Sequence, residues 1–279
     1  MSDQTRRRVL AALGGTVAVG LAGCSGGGNG TATDAATTTE GGMTEGESTD
    51  TEMSEMTTTE GEMTEGGMDD GEQAMVRVSH MSPDAPNVDV YVDGGDPVLS
   101  DVPFGTTSDY LPLPGGTYTV TITAAGDADT VAFEGDVSVE AGTSYTVAAI
   151  GELTSEDSEF RPLVLEDDVS DPGGDSARVR VVHASPDAPA VDVTVAASGD
   201  AIVDGAAFGD TASVTVPAND YTLEIRGDTE SNDGDVVADY DVSLNGGTVY
   251  TAFAAGYLSP DDEPTDEAFD LLVEQDASY

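Results

Sequence analysis

Residues 76–92 read VRVSHMSPDAPNVDVYV, and residues 179–195 read VRVVHASPDAPAVDVTV. Thirteen of the seventeen positions are identical across an offset of 103 residues; the exceptions are Ser79/Val182, Met81/Ala184, Asn87/Ala190 and Tyr91/Thr194. In each stretch, Val alternates with other residues, an SPDAP segment intervenes, and the alternation resumes. Period two is the pattern of a strand with one buried face. Proline fixes φ on either side of a turn, and Ser and Asp side chains bond the turn's N–H groups. The stretch therefore predicts strand, locked turn, strand, and it occurs twice.

The agreement runs on beyond the opening motif. Phe104-Gly105 is matched by Phe208-Gly209, PGGTYTVTI at 114–122 by PANDYTLEI at 217–225, and GTSYTVAAIGEL at 142–153 by GTVYTAFAAGYL at 247–258. Repeats of nearly 100 residues are too long for solenoid units and are the size of complete domains. The expected organisation is a first copy over 74–168, a polar linker over 169–177 and a second copy over 178–276. Turn signals such as DGGDP, LPGGT and VEAGT separate short alternating segments, and no amphipathic helix stands out. That pattern predicts an all-β chain of two tandem immunoglobulin-like antiparallel β-sandwiches. A Tyr opening a late strand, as in GTYTV and GTSYT, is placed to bond its hydroxyl to a nearby loop.

The V-R-V-x-H-x-S-P-D-A-P-x-V-D-V motif resembles domain-of-unknown-function family 4397, over both copies and roughly 190 of the 279 residues. The resemblance implies a β-sandwich module of the kind found, often in tandem, in secreted or surface-anchored prokaryotic proteins. It implies no activity. The copies diverge just after the motif, where VYVDGGDPV becomes VTVAASGDA.

Charge bounds the partners. The chain carries 55 acidic residues against 8 basic ones, a net of −47, and every basic residue is Arg. Such a surface repels nucleic acid and anionic headgroups. Extreme acidity in a chain rich in Val, Tyr and Leu points to folding in concentrated salt, where a short Debye length screens carboxylate repulsion. The composition resembles that of proteins from extremely halophilic archaea.

The first 24 residues read as an address. Thr5-Arg6-Arg7-Arg8-Val9-Leu10 fits a twin-arginine export signal carried by Arg6 and Arg7. The apolar run that follows ends in Leu21-Ala22-Gly23-Cys24, a lipobox pattern, and Cys24 is the only cysteine. Small residues before a lone Cys predict lipidation of Cys24. Residues 25–73 collapse to Gly, Thr, Glu, Met, Ser and Asp, a composition that builds no core and predicts a disordered acidic tether. Its 49 residues would span on the order of 40 Å as a flexible coil. Asn29-Gly30-Thr31 is a glycosylation sequon. The tether methionines lack the His or Cys that would accompany them in a copper site.

His80, Ser82 and Asp84, repeated as His183, Ser185 and Asp187, are the residue types of a hydrolytic relay. Crowded into one proline-bounded turn, without a G-x-S-x-G elbow, they read instead as a structural turn motif. One His per copy is too few for zinc. Asp84, Asp89 and Asp93 offer calcium oxygens, but no calcium-loop pattern surrounds them. We therefore assign no catalytic residue, metal or cofactor. The expectation is a non-enzymatic protein held by lipid on the outer face of the cytoplasmic membrane. It would display two sandwiches for adhesion, envelope organisation or capture of a glycan or surface protein, with no nucleic-acid partner. The alternatives are a solute-binding or hydrolytic surface lipoprotein and a purely structural spacer.

Overall fold

The computed structural model describes residues 73–155 and 158–279. Arg6, Arg7, Cys24, Asn29 and the tether lie outside the described residues. The described chain is all-β, with a single turn of 3-10 helix at Pro260–Asp262. No described helix is long and apolar enough to cross a membrane.

Among the described residues, seventeen strands form four sheets. In the first half, β1 (Ala74–His80), β4 (Thr106–Thr107), β8 (Ser144–Ile150) and β9 (Arg161–Glu166) pair in the order β4-β1-β8-β9, with β5 (Leu111–Leu113) also on β1. Facing them, β2 (Val88–Val92), β3 (Leu99–Val102), β6 (Gly116–Ala124) and β7 (Asp127–Val139) pair as β3-β2-β6-β7. The second half repeats both orders. Strands β10 (Ser176–His183), β13 (Thr211–Pro217), β16 (Thr248–Ala255) and β17 (Asp270–Ser278) run β13-β10-β16-β17. Strands β11 (Val191–Val195), β12 (Ala201–Ala206), β14 (Asn219–Gly227) and β15 (Val236–Leu244) run β12-β11-β14-β15. One pairing in each half departs from the antiparallel expectation: β1 runs parallel to β8, and β10 to β16. The first strand reaches its penultimate partner by crossing between sheets, so no tight hairpin constrains their direction.

The alternating valines do what their period requires. Val76, Val78, Val88 and Val90 are buried between the sheets of the first sandwich, and Val179, Val181, Val191 and Val193 between those of the second. The tyrosines that open late strands lock their own loops. The Tyr118 and Tyr221 hydroxyls each donate at 2.7 Å to the carbonyls of Pro114 and Pro217.

The intervening residues of β1 and β10 are buried too. Arg77 and Ser79 lie under cover, as do Arg180 and Val182, because the two sandwiches lay their inner sheets against one another. Met81, Ala148, Ile150 and Leu165 from the first half pack with Val182, Ala184, Phe253 and Ala255 from the second. The seam pairs large with small. Met81 corresponds to Ala184, Ala148 to Phe253 and Ile150 to Ala255, so a bulge on one side meets a hollow on the other.

Candidate functional site

The doubled turn closes on itself. His80 is fully buried; its Nε2 donates to the Pro86 carbonyl at 3.0 Å, and its Nδ1 faces the Ser82 N–H at 3.4 Å. The Ser82 hydroxyl donates to the Gly151 carbonyl at 2.6 Å, leaving Asp84 3.4 Å away. Asp84 accepts the N–H groups of Leu153 at 2.9 Å and Thr154 at 3.0 Å, with the Thr154 hydroxyl at 2.9 Å. The second half repeats the set. His183 bonds the Pro189 carbonyl at 3.1 Å, Ser185 the Gly256 carbonyl at 2.6 Å, and Asp187 the N–H groups of Leu258 and Ser259 at 2.9 Å. Among the buried side-chain nitrogens and oxygens of the described residues, His183 Nδ1 alone has no hydrogen-bonding partner.

This geometry carries no proton relay. A base must bond the nucleophile's oxygen. Here the imidazole faces a proline carbonyl, the serine hydrogen faces a glycine carbonyl, and the carboxylate holds a loop. Burial pushes both imidazoles below their ordinary range, and the bonds to Pro86 and Pro189 only partly oppose it. Both rings are therefore harder to protonate than a free imidazole. Gly151 and Gly256, the acceptors for the serines, sit at φ +89° and +85°, where a side chain would strike the backbone of Glu159 and Ala268. The matched GEL and GYL segments reflect that requirement.

The seam holds three of the five arginines among the described residues. Arg77 bonds Thr146 in its own half at 2.9 Å and the Asp276 carboxylate of the second half at 2.5 Å. Arg180 reciprocates, bonding Thr251 in its own half at 2.8 Å and the Asp167 carboxylate of the first half at 2.7 Å. The Arg77 and Asp276 side chains are 4% and 3% exposed. Tyr110 donates to Asp167 at 2.7 Å while its ring lies beneath the Arg77 guanidinium. Arg161 lies over the Phe208 ring across the same boundary. A second buried cross-link runs from the Tyr257 hydroxyl to Glu152 at 2.7 Å, and burial followed by that carboxylate pushes the phenol pKa up. These contacts escaped a reading based on alternation. The signals were the unbroken apolar runs VAAIG and AFAAG, which mark strands buried on both faces.

The calcium candidates go to separate tasks. Asp84 holds the 153–154 loop, Asp89 accepts the N–H groups of Asp101 at 2.8 Å and Gly126 at 2.9 Å, and Asp93 accepts Thr119 N–H at 2.9 Å. Among the described residues, Asp192, Asp204 and Asp228 do bring carboxylate oxygens within 4.8 Å of one another. A divalent cation could sit there. However, Asp192 already accepts N–H groups from Gly205 and Thr229, and the Asn232 amide, oriented to donate, lies 3.1–3.2 Å from Asp192 and Asp204.

Comparison with solved structures finds distant resemblances, with TM-scores too low to carry a functional argument. The TIE protein of Bacillus anthracis is 11% identical, with a TM-score of 0.21 and coverage of 66% of this chain. This chain spans only about a third (34%) of that protein. The family-26 carbohydrate-binding module of Amy13K from Eubacterium rectale, in complex with maltoheptaose, is 13% identical over 74% of this chain and 97% of that one, with a TM-score of 0.23. The fimbrial anchor protein Mfa2 from Porphyromonas gingivalis is 13% identical over 74% of this chain and 100% of that one, with a TM-score of 0.20. No curated protein matches. Residues 74–194, which take in the whole first sandwich and the first two strands of the second, match the family described as a domain of unknown function, DUF4397.

Proposed function

We propose that this chain is a non-enzymatic, lipid-anchored cell-surface protein whose folded part is a display unit suited to high salt, and that residues 178–276 are a second copy of the family module. One observation carries the reading. The serines and aspartates of the doubled His-Ser-Asp motif, and the Nε2 of each histidine, bond turn or loop backbone, and the two inner sheets are packed against each other. The outer sheets β3-β2-β6-β7 and β12-β11-β14-β15 are then the surfaces left for an envelope glycan or surface protein. Cross-strand pairs such as Thr119–Asp136 and Thr222–Asp241 stud them with hydroxyls and carboxylates. The twin-arginine pattern at Arg6-Arg7 and the lipobox ending in Cys24 support the location, with residues 25–73 as the tether and Asn29 as a glycan acceptor. The test is metabolic labelling of the full chain with radioactive lipid in a halophilic host, followed by protease treatment of intact cells. Wild type should take up label and be cleaved from outside, and Cys24→Ser should take up none. Label that persists in Cys24→Ser, or a wild-type chain protected inside intact cells, would overturn the anchor.

A further inference from the structure

The two sandwiches share strand order and register but not the space between their sheets. In the second, the space closes to about 20 Å³, room for about one water. In the first, a cavity of about 330 Å³ lies between the corresponding sheets, lined by residues such as Val76, Val90, Val120, Ile122, Val137 and Val147. The lining is hydrocarbon apart from the Tyr118 hydroxyl, which is turned to the Pro114 carbonyl.

The register shows how the packing beside the cavity differs. Val120 and Leu223 occupy the same place, so Gly135, opposite Val120, corresponds to Tyr240, opposite Leu223. One inward position along, Phe133 corresponds to Ala238. The first sandwich has thus moved its aromatic ring one step along the strand, where the Phe133 ring lies against Gly135 and outside the cavity's lining. The aliphatic differences run both ways. Val120/Leu223, Val139/Leu244, Val98/Ile202 and Pro162/Leu271 favour the second half. Leu111/Val214, Leu113/Val216, Val147/Ala252, Leu99/Val203 and Val102/Ala206 favour the first.

The wall differs as well. In the second half β13 is continuous over seven residues and packs beside β12. Its counterpart is broken into β4 and β5, and Tyr110 between them is drawn away to Asp167 and Arg77. The cavity opens at this edge, where Val98, 45% exposed, lies at its rim. Left empty, an apolar void of this size would take a large share of a small domain's stability.

We propose that the first sandwich is a binding site for an uncharged hydrocarbon group, and that the second is its filled, structural counterpart. The volume is roughly twice that of an engineered apolar cavity that holds benzene, which suits about a dozen carbons. No charged side chain is present to receive an ionic group, and the chain's net charge of −47 disfavours anionic amphiphiles. The hydrocarbon comes either from a free neutral molecule or from the chain of a neutral lipid. This deepens the display-unit reading and is independent of the anchor: a chain that binds hydrocarbon but takes up no lipid label would refute Cys24 alone.

The test is titration of the purified full chain, in high salt, with the neutral dye N-phenyl-1-naphthylamine. Competition follows with 1-dodecanol and with vesicles of neutral lipid. The comparison variant is Val90→Leu/Val120→Leu/Val139→Leu, which enlarges three residues that line the cavity, two of them to the leucine that the second sandwich carries at Leu223 and Leu244. We expect one saturable site in wild type, displaced by dodecanol if the ligand is free and by vesicles if it is lipid-borne. The variant should bind at least tenfold more weakly with its melting temperature unchanged or raised. Absence of saturable binding in wild type, displacement by neither competitor, or unaltered binding by a folded variant would each overturn the proposal.

Discussion

At the scale of single residues, the two histidines are the clearest instances of chemistry given over to architecture. His80 keeps a partner on each ring nitrogen, whereas His183 leaves Nδ1 bare. His80→Ala should therefore cost more than His183→Ala, by about 0.5–1 kcal/mol on a total of about 2–4 kcal/mol each. Urea unfolding of the full chain at fixed salt measures this, and equal losses would show that the Ser82 N–H contact contributes nothing. The pH dependence has a definite sign. Both folded imidazoles titrate below the ordinary 6.5, so beneath that value the unfolded chain holds protons that the folded chain does not. Stability from these groups is complete above about 6.5 and falls as pH drops toward the folded values. Moving from about pH 7.5 to about pH 5.5 should lower the urea midpoint of wild type, and the double alanine variant should lose that part of the slope. The turn was legible because five residues with two prolines leave little else. Its partners were not: the glycine carbonyls that receive Ser82 and Ser185 stand 69 and 71 residues away.

At the scale of strands, alternation located the inward faces and concealed the outward ones. A valine on a period-two pattern announces a core, but nothing local says whether its neighbours meet water or another sheet. Arg77 and Arg180 look like solvent-side residues until β8, β16 and the ends of β9 and β17 are brought over them. Two of the four motif differences, Ser79/Val182 and Met81/Ala184, prove to lie where the halves meet. Each half is the other's partner. Breaking such a buried pair leaves a carboxylate without a cation. Arg77→Met alone should cost about 3–5 kcal/mol, while Arg77→Met/Asp276→Leu should recover most of it. The wild-type chain should unfold in one transition by calorimetry, because the apolar seam and its reciprocal pairs couple the sandwiches. Arg77→Met should separate the transition into two. A single unshifted transition in that variant would mean that the seam does not couple them.

At the scale of the whole molecule, the distribution of charge divides two kinds of electrostatics with opposite responses to salt. The surface carboxylates repel one another across water, and salt weakens that repulsion as the Debye length falls from about 10 Å at 0.1 M to about 3 Å at 1 M. The pairs Arg77–Asp276 and Arg180–Asp167 have side chains no more than 10% exposed and are screened far less. Three of the five arginines beyond the N-terminal cluster (Arg77, Arg161 and Arg180) lie at this seam, and the two buried ones, Arg77 and Arg180, are where concentrated salt reaches least. Salt should thus relieve the strain on the outer sheets without dissolving the joint between the inner ones. The thermal midpoint of the full chain should climb steadily from about 0.1 M to about 3 M KCl. The cost of Arg77→Met, measured at each salt concentration, should stay nearly constant. A wild-type midpoint that is flat or falls over that range would contradict the reading of the acidic surface. A cost that shrinks with salt would show the seam pairs to be solvated after all.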